Sequence, residues 1–458
     1  MDNNTKLKKE LGVFAAMSLV VGCVIGAGVF FKPASIFAET GGAPGMGMLA
    51  WIIGGIASLL GALTFAEVAV MIPRTGGMVA YINDAYNEPV AFLAGWMQTV
   101  IFYPAFLAGY GITIGNELTA LLGMDPAFQL PIAIALISLL IGANSLGSKA
   151  AGNIQLVSTI CKLIPLVLLM VCGFFLGSGD NAVFTPMVSE GKNGGAVLGS
   201  TLLAVLFAFE GWTNVGAIAG EMKNPGKDMP RAIVGGVSII MAVYFIINLA
   251  FLWVLPAETM AALNYEGAPS VASVAATMMF GDIGGTLVTI GIIISVIGAA
   301  NGFLLSGSRV SYHLAAYNTL PGSKHLAKLN NRQVPTNSIL LIGLISVLYC
   351  FLGRLQLIDG MTTFDLLTNL AVFSCWIFYT LAFTCVIRLR KKQPNAERKY
   401  KVPLYPVVPI LAIASGLYVV VSQLFLSGTQ TTLISLGSIA ITLLGLPVYL
   451  ITTKKYAQ

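Results

Sequence analysis

Long apolar runs of about 20 residues, separated by short polar turns, recur from one end of this chain to the other. A run of that length spans the roughly 30 Å hydrocarbon core of a bilayer as a helix. The pattern predicts twelve spans, at about 12–35, 44–72, 90–122, 127–146, 153–177, 195–219, 231–255, 282–314, 338–353, 361–387, 404–426 and 430–452. No polar stretch between them is long enough to build a separate core, so the 458 residues read as one polytopic all-α membrane domain. The first run is too long for a signal-peptide core and reads as a retained span.

Two of these runs are interrupted in the middle. In span one, Val24-Ile25-Gly26-Ala27-Gly28 places two glycines where a lipid-crossing helix should not spend conformational entropy. One reading is a small-residue face that lets helices approach closely. The other is an unwound segment, tolerated in a membrane only where protein or a water-filled cavity satisfies the released N–H and C=O groups. Released amides at the positive end of a half-helix suit a carboxylate, and released carbonyls suit an ammonium group. Span six repeats the anomaly: Leu206-Phe207-Ala208-Phe209-Glu210-Gly211-Trp212 sets a carboxyl and a glycine inside an apolar segment. They stand five places apart in the order of spans, an odd offset, so a five-span duplication is inverted and the two interruptions cross the membrane in opposite senses near its midplane. Paired discontinuous helices of this kind mark the binding site of transporters, which favours the unwound reading.

Composition adds the class and charge adds the orientation. Hydrophobic residues make up 57% and charged residues only 10%, against about a quarter charged in a soluble domain. With the N-terminus inside, the inner segments hold 21 of the 25 Lys and Arg residues, from Lys6, Lys8 and Lys9 to Lys454 and Lys455. The outer loops hold only Lys192 and Arg354; Lys32 lies near the outer end of span one and Lys162 within span five. This positive-inside bias puts both termini in the cytoplasm and explains the net charge of +6 without a nucleic-acid partner. All six cysteines, Cys23, Cys161, Cys172, Cys350, Cys375 and Cys385, fall within apolar runs and read as packing residues. The two histidines, His313 and His325, form no ligand cluster, and no phosphate loop, nucleophile–base set or paired catalytic carboxylates appear. The expectation is therefore no enzyme, no metal and no cofactor.

Lys162 is the most informative side chain. Counted from Asn153 it lies about nine residues, or roughly 14 Å, into the core, where a charge costs several kcal/mol unless carbonyls or a carboxylate receive it. Glu67 and Glu221 read as interface residues pairing with Arg74 or Arg231. Glu210 has three readings: acceptor of a substrate ammonium, proton carrier, or cap of the unwound turn of span six. Tyr244 in span seven is an aromatic whose hydroxyl needs a partner if buried.

In combination, Gly26-Ala27-Gly28, Ile72-Pro73-Arg74-Thr75-Gly76-Gly77, Phe207 to Trp212, and Gly220-Glu221-Met222-Lys223-Asn224-Pro225 with Pro230-Arg231-Ala232 resemble the amino acid–polyamine–organocation superfamily. Within it the chain resembles the L-amino acid transporter family, especially its bacterial serine/threonine and alanine-serine-cysteine exchangers. The resemblance covers the whole chain. It implies a five-plus-five inverted repeat (about 12–177 and 195–387) with helices one and six unwound, two further helices over about 404–452, alternating access, and sodium-independent exchange of amino acids. The substrates it implies are small neutral L-amino acids: alanine, serine, threonine and cysteine. On this reading amides of Gly26, Ala27 and Gly28 hold the substrate carboxylate, while carbonyls of Val24, Ile25, Phe207, Ala208 and Glu210, beside Gly211, receive its ammonium. Lys162 stands where sodium-coupled relatives place a cation, with Ser295 of span eight as its partner. Phe207 resembles the family's aromatic gate, the alternative being an ordinary packing phenylalanine, and Tyr244 lies near Lys162 and the substrate. Animal members join a heavy chain through a cysteine between spans three and four; the segment Met124 to Gln129 has none, so no disulfide-linked partner is expected, and the cytoplasmic membrane of a bacterium is the expected setting. The rivals are a proton-coupled importer, a carrier of cationic amino acids or polyamines, and, from another class, a membrane enzyme or a non-transporting receptor.

Overall fold

The computed structural model describes residues 9, 11–179, 181–265, 267–354 and 361–457; Lys6 and Lys8 of the predicted inner cluster lie outside them. The described chain is helical, its one β feature being an isolated bridge between Leu11 and Met222. We number the principal helices α1 Val13–Val24, α2 Gly28–Thr40, α3 Pro44–Met71, α4 Met78–Ala85, α5 Glu88–Leu122, α6 Gln129–Ser145, α7 Ser148–Leu176, α8 Gly194–Ala208, α9 Pro225–Val254, α10 Val271–Ala316, α11 Thr336–Gly353, α12 Thr363–Lys392, α13 Val407–Phe425, α14 Thr429–Leu443 and α15 Gly445–Ala457. Among the described residues eleven helical stretches are long and apolar enough to cross a membrane, α1–α2 and α14–α15 each counting as one, and α8 is a shorter apolar helix of 15 residues.

Local chemistry sets the ends. Pro44 opens α3, where its missing N–H is no loss, and Gly41 closes α2 in the left-handed region at φ 68°. The Asn193 side chain accepts from Gly195 and Ala196 at the start of α8. In α10, Gly281 (φ 70°, ψ −170°) breaks the helix just before the predicted start of span eight at 282, a conformation that costs glycine little. The chain leaves α1 at Val24 and resumes at Gly28; it leaves α8 at Ala208 and recovers only a four-residue helix at Asn214–Ala217. Both interruptions fall where the sequence predicts them.

The two broken stretches run in opposite senses. Where α1 begins, Leu11 N–H donates to Glu221 O at 3.0 Å, beyond the break after α8. Where α2 ends, the Lys192 ammonium donates to Glu39 O at 2.6 Å, just before α8 begins. They meet closely in the middle: a Cβ on Gly28 would stand 2.6 Å from Ala208 Cα. A Cβ on Gly211, which also needs φ 116°, would stand 2.8 Å from that of Cys23.

Charged pairs lock the end at which the chain enters. Glu221 pairs with Arg309 of α10 at 2.8 Å, both side chains fully buried. Glu67 of α3 takes Arg390 at 2.6 Å, lies 3.5 Å from Arg398, and accepts the Val402 N–H at 2.7 Å. This corrects the expectation that these glutamates pair with Arg74 or Arg231. Arg74 instead meets Asp84 of α4 at 2.6 Å. Sequence proximity suggested the nearer arginines, whereas helix packing delivers cations from α10 and α12, 88 and 323 positions away.

Two stability predictions follow from this packing. Removing one member of the Glu221–Arg309 pair leaves a buried charge uncompensated, so R309M should destabilise by about 3–5 kcal/mol, while R309M/E221M recovers most of it. Thermal unfolding in detergent distinguishes this from a pair of little weight, for which single and double variants would unfold together. Secondly, G28A should lower the midpoint through overpacking of about 1–3 kcal/mol. G142A in α6, where a Cβ meets nothing within 4 Å, should hold or raise it.

Candidate functional site

A helix break inside a membrane releases carbonyls on its N-terminal side and amides on its C-terminal side. In α1 the Gly26 N–H turns from Gly22 O to Val24 O, at 2.8 Å. The carbonyls thereby released are met by side chains. Lys162, fully buried near the middle of α7, donates to Gly22 O at 2.7 Å and also to Ile25 O. Ser295 of α10 donates to the same Ile25 oxygen at 3.1 Å. The Tyr244 hydroxyl lies 2.8 Å from Val24 O and 3.0 Å from Ala208 O, so one phenol spans both breaks. Sequence reasoning named Lys162, Ser295 and Tyr244, and the fold brings all three to the broken segment.

The amides fare differently. Ala27, Gly28 and Val29 begin α2 in a buried position, and among the described residues their N–H groups have no hydrogen-bond partner. The unmet groups at this break are thus mainly donors at the positive end of a helix, the chemistry of a carboxylate site. At the second break Glu210 N–H bonds Phe207 O at 3.0 Å and so leaves Leu206 O without a partner among the described residues. Three details differ from the sequence reading. The Gly26 amide is engaged, with Val29 free in its place; Ile25 O already holds two donors, which fill its two lone pairs; and Val24 O is met by the Gly26 N–H and the Tyr244 hydroxyl. Neither Val29 nor Leu206 carries a side-chain signal that sequence could have shown, because the groups concerned are backbone.

Aromatic rings wall the region. Phe207 stacks on Phe106 of α5 with centroids 5.2 Å apart, and Phe106 stacks on Phe303 of α10 at 4.4 Å. Phe364 of α12 meets Phe207 edge-on at 5.2 Å. The Tyr110 hydroxyl lies 3.2 Å from where a Gly26 Cβ would stand, so glycine here lets the ring approach the backbone. Tyr103, Phe106 and Tyr110 recur at helical spacing on one face of α5, a signal legible in the sequence and missed. Above Phe207 the Lys32 ammonium sits 4.6 Å from the ring centroid and pairs with Asp365 at 2.5 Å.

Glu210 points elsewhere. It is buried, accepts from the Tyr379 hydroxyl of α12 at 2.9 Å, and Tyr379 in turn contacts Thr213 at 2.7 Å. That arrangement ties the unwound turn after α8 to α12, and Gly211 makes the turn that permits it.

Comparison with known proteins gives the same architecture a family. The amino acid permease family model matches residues 11–446. Over 457 residues the chain is 39% identical to the serine/threonine exchanger SteT of Bacillus subtilis, covering 99% of this chain and 98% of that protein. It is 28% identical to the human b(0,+)-type amino acid transporter 1, over 92% of this chain and 83% of that protein. It is 27% identical to the human cystine/glutamate transporter, over 97% and 85% respectively. These are carriers, not enzymes. With its repeated apolar helices, this chain is a multi-pass membrane protein and belongs to the amino acid permease family.

Proposed function

We propose that the protein exchanges small neutral L-amino acids, of the alanine, serine, threonine and cysteine class, across a bacterial cytoplasmic membrane by alternating access and without sodium. One observation carries the reading. Side chains of the protein itself satisfy the carbonyls released at Gly22, Val24 and Ile25, and among the described residues the amides of Ala27, Gly28 and Val29 stay bare. The Lys162 ammonium occupies the carbonyl cluster that would otherwise suit a metal cation, so a resident charge replaces a transported one. A substrate carboxylate then docks on the bare amides. Its ammonium turns to the carbonyls at the end of α8, Leu206 and Phe207 among them, with Ala208 shared with Tyr244. Phe207, backed by Phe106, closes over the bound molecule. The relative with 39% identity is a serine/threonine exchanger, which supports the substrate class.

The layout proposed with it has twelve spans, α8 with the turn beyond it serving as the sixth. Two five-span repeats over about 12–177 and 195–387 are inverted relative to each other, and about 404–452 supplies two more. The opposed directions of α1–α2 and α8 support the inversion. The bias of Lys and Arg toward one set of connecting segments supports cytoplasmic termini. Cysteine is absent from Met124 to Gln129, so the chain works without a disulfide-linked heavy chain. Glu210, held by Tyr379, anchors the unwound turn in this scheme and is not the ion-coupling group.

Proteoliposomes provide the test. Labelled serine, threonine and alanine should enter only when a neutral amino acid is trapped inside, and neither sodium nor a pH gradient should change the rate. Undiminished uptake into empty vesicles overturns exchange; steep pH dependence points to a proton-coupled importer; preference for arginine or a polyamine points to a cationic carrier. K162A should still fold, yet lose about tenfold or more of its exchange. It strands buried carbonyls at about 1–3 kcal/mol apiece, and about 1.4 kcal/mol is tenfold. Normal exchange by K162A removes the lysine from the mechanism.

A further inference from the structure

At the end of the bundle opposite the N-terminus, a solvent-open cavity of about 70 Å³ lies above Phe364 and the Lys32–Asp365 pair. Lys32, Asn116, Glu117, Asn264, Ser270 and Asp365 are among its polar lining residues. Glu117 is the unexplained member. The residue is only 7% exposed, it lines the cavity, and among the described residues it makes no hydrogen bond and no ion pair. Its carboxyl oxygens are not among the fully enclosed unpartnered atoms and so face the open cavity, where the charged group of a bound molecule can take the place of water. Lys32 supplies the opposite charge. Two of its three ammonium hydrogens go to Asp365 at 2.5 Å and Thr368 at 3.3 Å, and one remains.

The chemistry selects the ligand. A divalent cation would meet one free carboxylate beside a lysine ammonium, a poor donor set. A polyamine would face the same lysine, and a dicarboxylate would face Glu117. A zwitterion matches both charges. We propose that this cavity is an outer subsite for an α-amino acid, its ammonium on Glu117 and its carboxylate on the remaining N–H of Lys32. This rests on the amino acid exchange reading and deepens it by adding a docking step before the broken helices. Because the Lys32 ammonium lies 4.6 Å from the centroid of Phe207, a carboxylate that draws Lys32 away from Asp365 also loosens the cover over that ring. About five water-sized volumes fit in 70 Å³, room for the charged end of a small amino acid.

Serine-for-serine exchange measured separately from each face tests this, using right-side-out and inverted membrane vesicles preloaded with unlabelled serine. E117Q should raise KM about tenfold on the face where the cavity opens, the loss of one charge-assisted contact, with Vmax within about twofold and KM on the other face unchanged. E117D, which keeps the charge, should restore most of the affinity on that face, and it serves the same test should E117Q not fold. A KM unchanged on both faces, or raised equally on both, overturns the subsite, because a merely structural glutamate acts on both directions alike. Wild-type vesicles without any serine exchange overturn the carrier reading itself, whatever the variants do.

Discussion

Everything in this molecule depends on what becomes of backbone groups freed in a medium without water. A continuous helix hides all of its peptide dipoles; a broken one exposes several, each costly to leave unpaired in an apolar interior. Here the freed groups are satisfied unevenly. Lys162, Ser295 and Tyr244 converge on the carbonyls of Gly22, Val24, Ile25 and Ala208, whereas the amides of Ala27, Gly28 and Val29 find no acceptor among the described residues. The asymmetry matters more than the breaks themselves, because it converts two helix interruptions into a site with a sign. Lysine is well suited to the carbonyl side. Its ammonium has three donors and no acceptor, so it can serve several carbonyls and compete for none of the bare amides.

The breaks also require small residues where the strands of unwound chain pass each other. Gly28 against Ala208, Gly211 against Cys23, and Gly302 against the Cys23 sulfur bring α1, α2, α8 and α10 to backbone distance. One phenol reaches across both segments: the Tyr244 hydroxyl lies within hydrogen-bond distance of Val24 O and Ala208 O at once. Close packing and polar satisfaction are one constraint in two forms. The packing face and the unwound segment, alternatives when Gly26-Ala27-Gly28 is read as sequence, coexist.

Much of this was legible in the residues, and the illegible part has a consistent physical character. Apolar run length located the long helices, eleven stretches of which are long and apolar enough to cross a membrane among the described residues, and the Gly281 break falls at the predicted start of span eight. Lys162 was legible because a charge at that depth demands a partner. The pairs of Glu67 and Glu221 were not, because which cation reaches a buried carboxylate depends on helix packing, and Arg390 and Arg309 arrive from distant helices. Nor was the involvement of Val29 and Leu206, whose peptide groups carry no residue-specific mark. Glu210 shows the intermediate case: its burial at a break was evident, but its partner Tyr379, on a distant helix, was not.

The two ends of the bundle are closed by interactions of different strength, and the proposed exchange follows from that difference. At the entering end Glu221–Arg309 is buried completely, Glu67 gathers Arg390, Arg398 and the Val402 amide, and Leu11 bridges to the segment after α8. At the opposite end, Lys32 and Asp365 hold one ion pair beside an open cavity. Opening the entering end exposes several desolvated charges at once, and an empty carrier has nothing to offer in return. A zwitterion bound between the breaks changes the balance, since it fills the bare amides in whichever state it occupies and offsets part of the cost of crossing. A carrier built this way moves readily when loaded and reluctantly when empty. Obligatory exchange requires that kinetic condition, and on the proposed reading it arises from the placement of unpaired amides relative to buried charge pairs.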